Sequence, residues 1–210
     1  ERILAQAMSS IAATMAKMAM DVTLYMNQNF AFVKFPDHLT TGSSIMPHKK
    51  NPDVLELIRS RCNKIQALPN EIALMTTNLP SGYFRDLQLL KENLFPAFES
   101  LNDCMQLLVL MLDHIQINEE ILNDPKYDYL FSVEVVNNEV LNGVPFREAY
   151  KNIGLDIENG TYKPLKEVNH THEGSIGNLM NQQISEAFEK VIQDFNFEKV
   201  HQALNALVLE

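Results

Sequence analysis

Three long stretches of this chain carry apolar residues at alternating steps of three and four, and this spacing narrows the possible folds. Residues spaced in this way fall on one side of an α-helix, where they pack against other helices. The three predicted seams are Leu4, Met8, Ile11, Met15, Met18, Val22 and Tyr25; then Val54, Ile58, Cys62, Ile65, Leu68, Ile72 and Met75; and finally Leu87, Leu90, Leu94, Phe98, Leu101, Met105, Leu108, Leu112 and Ile115. We therefore predict an all-α fold built around a bundle of long helices.

Polar and proline residues mark where these helices begin, end and bend. We expect the first helix to end near Asn27 and the second to begin at Asp53, an acid that the helix dipole favours in a first turn. Pro69 and Pro96 lie inside the second and third patterns. Each proline is predicted to kink its helix, because proline cannot donate the helical hydrogen bond.

The pattern changes after His114, where the apolar segments become shorter. We predict two domains: residues 1–116 form part of a central helical bundle, with a functional loop at 40–52, and residues 117–210 form a small C-terminal helical domain. Within the second domain, helices are expected from about Ser175, a candidate cap, to Asp194 and from Phe197 to Leu209.

Charge and composition exclude several classes of function. The formal charge of −10 and the pI near 5.1 argue against a nucleic-acid partner, which requires a basic face. The apolar stretches are too interrupted to span a membrane, so we expect a soluble, cytoplasmic protein. Cys62 and Cys104 lie within apolar helical patterns and are predicted to be reduced core thiols. Because the chain begins at Glu1 inside a helical pattern, we expect a fragment of a longer protein.

The segment between the first two helical patterns concentrates reactive side chains and reads Gly42-Ser43-Ser44-Ile45-Met46-Pro47-His48-Lys49-Lys50-Asn51-Pro52-Asp53-Val54-Leu55-Glu56. Gly42 is expected to adopt backbone conformations that are closed to other residues. The two serines offer hydroxyls, Lys49 can face an anion, and Asn51 can both donate and accept hydrogen bonds. This composition predicts an active-site loop, and we call residues 40–52 the signature loop.

The order GSS-x-MP-x-K-x-N followed by Glu56 closely resembles the signature of the fumarase/aspartase superfamily of lyases. The doubled lysine and Asp53 resemble the argininosuccinate lyase family within it, although His48 stands where the usual form has glutamine. Two further segments resemble that family in the same order: residues 79–92, which read LPSGYFRDLQLLKE, and residues 143–149, which read GVPFREA.

This resemblance implies an elimination reaction that releases fumarate from argininosuccinate, with no cofactor and no metal. It assigns Ser43 as general base, Lys49 as the group that stabilises the aci-carboxylate intermediate, and Glu56 as the carboxylate that orients a histidine from a segment outside this chain. The implied substrate-binding residues are Ser44, Asn51, Tyr83, Gln88 and Lys91. A homotetramer, with active sites built from three subunits, is also implied.

Several alternatives stay open. Another fumarate-releasing lyase of the adenylosuccinate lyase, aspartase or fumarase type would carry a similar signature loop, and a non-catalytic structural or assembly module could share the fold. Lys50 is interpreted as a solvated loop residue. The sequence His170-Thr171-His172-Glu173 resembles a metal site only weakly, so we read it as polar residues before a helix. Without the segment that holds the histidine, the chain alone is expected to be inactive.

Overall fold

The computed structural model describes residues 1–168, 170–195 and 197–208 of the chain, and helices dominate this described part. The chain divides into two compact units, Glu1–Asn123 and Asp124–Glu210. The helices of the first unit are α1 (Arg2–Met26), α2 (Asp53–Gln66), α3 (Leu68–Met75) and α4 (Leu90–Asp113). Those of the second are α5 (Ser132–Leu141), α6 (Phe146–Glu158), α7 (Asn181–Gln193) and α8 (Phe197–Val208).

The predicted all-α fold is confirmed. No helix in the described ranges is both long and apolar enough to cross a membrane.

The core of the first unit is formed where α1 packs against α2, and small residues make this contact close. Buried alanine recurs at every seventh residue of α1 and alternates with larger apolar residues; the buried set is Ala5, Met8, Ala12, Met15, Ala16, Ala19 and Val22. The predicted seam was partly wrong, since Leu4 and Ile11 are 43% and 46% exposed. Alanine allows two helices to approach closely, and in α1 the buried alanines share one face with Met8, Met15 and Val22, while Leu4 and Ile11 lie outside it.

α4 packs against α2 along a buried stripe of Leu90, Leu94, Leu101, Cys104, Leu108 and Met111. Here too the predicted seam mixed two faces, because Phe98, Met105 and Leu112 are exposed. The helix continues through Pro96. The second predicted helix is instead divided at Ala67 into α2 and α3, and Pro69 lies in the first turn of α3, where its missing N–H costs little.

Cys62 of α2 and Cys104 of α4 meet at the centre of this core as free thiols, both fully buried. Burial, with a smaller contribution from the neighbouring Cys104, raises the pKa of Cys62 to about 12. Burial also raises the pKa of Cys104. Since the thiolate is the nucleophilic form of cysteine, both side chains act as core residues at neutral pH.

The chain returns at the end of α4 to the end of α1. Strand β1 (Val33–Lys34), which follows α1, pairs antiparallel with strand β2 (Gln116–Ile117), which follows α4. The His38 ring lies 5.8 Å from the His114 ring at this end of the unit. The segment of residues 83–89 precedes α4 at its opposite end. Because α4 has 24 residues, the two ends lie about 36 Å apart at about 1.5 Å per residue.

The second unit has a smaller core, in which Val136 of α5 packs with Ala149 and Ile153 of α6. The predicted helix start at Ser175 was wrong, because α7 begins at Asn181. Residues 170–178 form a turn in which Ser175 Oγ donates to the His172 carbonyl over 2.6 Å, so Ser175 caps no helix. The predicted end at Leu209 lies outside the described residues.

Candidate active site

The signature loop is closed at its base by a pair of backbone hydrogen bonds. Thr41 N donates to Asn51 O over 3.2 Å, and Asn51 N donates to Thr41 O over 2.8 Å. The Asn51 side-chain amide also donates to Gly42 O over 3.2 Å. Thr41 Oγ1 forms a hydrogen bond with the carboxylate of Asp53, the first residue of α2. Residues 42–50 thus project from a closed base at the start of α2.

Within the loop, Ser43 organises the local backbone. Its Oγ accepts hydrogen bonds from the N–H groups of Ile45 and Met46, each over 3.2 Å. Two N–H donors directed at one oxygen stabilise negative charge on it. Ser44 is exposed beside it. The expectation for Gly42 was wrong in this structure: its φ is not positive, and a Cβ added there would meet nothing within 4 Å.

A cleft of about 750 Å³ opens between the signature loop, the end of α1 and the start of α2. Three of the predicted site residues, Lys49, Asn51 and Glu56, line it. The other lining residues are Thr23, Met26, Asn27, Gln28, Met46, His48, Lys50 and Pro52. Ser43 and Ser44 are not among the lining residues. The cleft therefore gathers a cation, an amide and a carboxylate, while the proposed base lies on the loop beside it.

The two adjacent lysines have different surroundings. Lys50 Nζ forms an ion pair with Asp37, although both side chains are exposed. The hydrogen bond from Lys50, together with its positive charge, lowers the pKa of the Asp37 carboxyl. Lys50 is exposed, as interpreted from the sequence, and it has in addition an ion-pair partner, because residues 37–39 form a 3-10 turn that brings Asp37 beside the loop. Lys49 forms no ion pair among the described residues, and it lines the cleft together with Glu56.

The second motif is folded locally, away from this cleft. Gln88 Nε2 donates to Tyr83 Oη over 3.1 Å, and both side chains are exposed. Lys91 lies in the first turn of α4, one turn beyond Gln88. The signature loop is tied through Lys50 and Asp37 to the other end of α4, where His38 contacts His114. One copy of the chain therefore does not bring Tyr83, Gln88 and Lys91 to the cleft.

Sequence reasoning missed several residues that shape the site. Asp37, Thr23 at the end of α1 and Gln28 just after it carried no motif and were not expected near the signature loop. Thr41 was expected within the loop, but no role was assigned to it. The sequence did single out Asp53, but only as an acid at the start of the second helix. Its contact with Thr41, twelve residues earlier, depends on the tertiary path of the loop.

His170 connects the histidine-rich turn of the second unit to α5. His170 Nε2 lies 3.0 Å from Glu134 Oε1, and the His170 and His172 rings stack with centroids 5.3 Å apart. Across the described ranges, no three His, Cys, Asp or Glu side chains are grouped so as to hold a metal ion.

Comparison with known proteins identifies the fold and its family. A family model described as "Lyase" matches residues 3–67, from α1 to the end of α2. The argininosuccinate lyase of Parabacteroides distasonis is 56% identical over 208 residues, which are 99% of this chain and 47% of that protein. The argininosuccinate lyase of Phocaeicola vulgatus is 55% identical with the same coverage. The native structure of fumarate lyase:delta crystallin from Brucella melitensis aligns with a TM-score of 0.64 and 19% identity, over 76% of this chain and 36% of that one.

The structural likeness shows that the helical bundle is the one on which fumarate lyases are built. Within this class of lyases, the chain belongs to the argininosuccinate lyase family. It spans about half the length of the curated relatives that it matches.

Proposed function

We propose that this chain contributes the signature-loop part of an active site that cleaves argininosuccinate into arginine and fumarate. The cleft that gathers Lys49, Asn51 and Glu56 carries the proposal, because these are the groups that such an elimination needs around a succinyl substrate. Removal of a proton beside a carboxylate leaves extra negative charge on that carboxylate. A cation such as Lys49 stabilises this charge in the transition state, which is often the largest catalytic contribution.

Ser43 is the proposed base. Serine is a poor base unless its alkoxide is stabilised, and the N–H groups of Ile45 and Met46 point at its Oγ. The ammonium of Lys49 adds positive charge six residues away in the same loop. Glu56 lies in the cleft, where it would fix the tautomer of a histidine supplied by a segment outside this chain. Asn51 and Ser44 would donate hydrogen bonds to the substrate.

Tyr83, Gln88 and Lys91 are proposed to bind substrate in an active site of another copy. This assignment is supported by their position at the opposite end of α4, a helix about 36 Å long, from the signature loop. An exposed apolar stripe runs along α4, beside its buried face, and consists of Phe95, Phe98, Met105, Val109 and Leu112. Its steps of three, four and seven are those of a helix packed in a bundle. We propose that a second copy covers this stripe in a homo-oligomer, a tetramer in the family, acting in the cytoplasm.

A purified chain should release no fumarate from argininosuccinate, because the proposed proton donor lies outside it. Activity should appear when the chain is joined to the part of the Parabacteroides distasonis relative that it does not cover. We call this product the reconstituted enzyme. Fumarate can be followed by its ultraviolet absorbance and arginine by chromatography, and the two are expected in equal amounts.

The competing functions give different results in the same assay. Fumarate from adenylosuccinate, aspartate or malate, with none from argininosuccinate, would assign the chain to a sister lyase. A reconstituted enzyme that folds and assembles but releases no fumarate from any of these substrates would favour a non-catalytic module. The outcome of a non-catalytic module is included because the name of the Brucella melitensis neighbour combines fumarate lyase with delta crystallin.

A further inference from the structure

We propose that Thr41 and Asp53 are positioning residues that fix the signature loop to α2, and thereby set Lys49 against Glu56. Both lie outside the set of residues assigned to substrate or chemistry. The inference rests on the proposed function for its catalytic consequence only. The contact itself is a structural feature that can be tested without turnover.

The hydrogen bond between Thr41 Oγ1 and the Asp53 carboxylate joins the two sides of the loop base. Next to it lie the two backbone hydrogen bonds between Thr41 and Asn51 and the hydrogen bond from the Asn51 side-chain amide to Gly42 O. We call these contacts, together, the clasp. Asp53 begins α2 and Glu56 follows in the same helical turn, while Lys49 precedes Asn51 by two residues. The clasp therefore connects the segment that carries Lys49 to the helix that carries Glu56.

Asp53 has a second conceivable role, as an acid that stabilises the start of α2. The geometry favours the clasp. Pro52 is the N-cap of α2, and no side chain caps this helix end. The one side-chain hydrogen bond that the structure gives Asp53 is to Thr41, across the loop rather than to a helical N–H. Favourable interaction with the helix dipole remains, but it does not require Thr41.

The interior of the signature loop forms few polar contacts with the rest of the chain, which increases the contribution of the clasp to its position. The hydrogen bonds of Ser43, Ile45, Met46 and Lys49 in the described structure stay within the loop, as two successive turns. The contacts that reach outside it are the clasp and the ion pair of Lys50 with Asp37. Exposed ion pairs contribute little to stability. The clasp combines four hydrogen bonds, two of them between backbone groups, so we infer that the position of Lys49 relative to Glu56 depends more on the clasp than on this single ion pair.

Thr41→Val and Asp53→Ala should each lower kcat of the reconstituted enzyme by tenfold to about a hundredfold, with a smaller change in KM, because small displacements of catalytic groups are costly. The double variant should be no slower than the worse single variant, since both changes remove one contact. Thr41→Ser and Asp53→Asn retain a hydroxyl donor and an acceptor oxygen, and should restore most of the rate. Thr40→Val is the matched control, because it removes only a hydrogen bond from Thr40 Oγ1 to Asp37 O.

Amide hydrogen exchange of the chain alone separates this inference from the proposed function. In Thr41→Val the Asn51 N–H should exchange roughly three- to tenfold faster, the loss expected for one hydrogen bond, while the amides of α1 stay unchanged. Unchanged exchange at Asn51, or multiplicative losses of kcat in the double variant, would overturn the clasp. An inactive reconstituted enzyme with faster exchange in Thr41→Val would refute the proposed function and leave the clasp standing.

Discussion

Replacing Ser43 by alanine is expected to lower kcat of the reconstituted enzyme by a factor of roughly a hundred to ten thousand, the usual range for loss of a general base. KM should change little, because the hydroxyl acts in the transition state rather than in ground-state binding. Ser44→Ala gives the contrast on the neighbouring residue. As a proposed substrate contact, it should raise KM more than it lowers kcat.

Ser43 also orders the loop, because its Oγ accepts hydrogen bonds from two backbone N–H groups. A loss of activity alone would therefore not identify Ser43 as the base. Binding of argininosuccinate to Ser43→Ala, measured by calorimetry, separates the two roles. Near-normal affinity with lost turnover supports the base. Lost affinity would mean that the hydroxyl is needed to shape the loop, and substantial turnover in Ser43→Ala would remove the assignment altogether.

Lys49→Met should lower kcat on the order of a hundred- to a thousandfold, the usual cost of removing one preorganised electrostatic group. Lys50→Met should reduce it only a few-fold. The physical reason lies in their partners: Lys50 forms an ion pair with Asp37, whereas Lys49 forms no ion pair among the described residues and lines the cleft that also holds Glu56. Steady-state kinetics with argininosuccinate distinguishes the two variants.

Asp37→Asn is the matched control for this pair. It removes the ion pair but retains Lys50, and should behave like Lys50→Met if the pair has only a local structural role. Equal damage from Lys49→Met and Lys50→Met would show that the signature loop presents both lysines to substrate, and the assignment of Lys49 alone would then be wrong.

The long helices could be predicted from sequence because their apolar spacing is strong, yet the buried face of α1 could not. Spacing alone does not rank Ala5 above Leu4 as a contact residue. Packing against α2 makes that choice, and the buried face combines four alanines with Met8, Met15 and Val22. The buried face of α4 could not be predicted from spacing either. The residues read as one apolar seam belong partly to a buried face and partly to an exposed stripe beside it.

The candidate site divides in a similar way. The signature loop was recognisable because it holds an unusual density of functional groups in one segment. Its supports were not, because Thr41 with Asp53 and Asp37 with Lys50 are pairs separated by twelve and thirteen residues whose meeting depends on the fold. The separation of the second motif from the loop is likewise a property of the length of α4 and has no signature in either motif.

The central claim is that the two motifs of one chain serve different active sites, and a mixing experiment tests it most directly. Reconstituted Ser43→Ala and Lys91→Met enzymes should each be nearly inactive. When they are dissociated, mixed and reassembled, some sites will combine an intact signature loop from one copy with an intact Lys91 from another, and fumarate release should reappear. Mixed assemblies that form but stay as inactive as their parents would show that both motifs act within one copy, and would contradict the account.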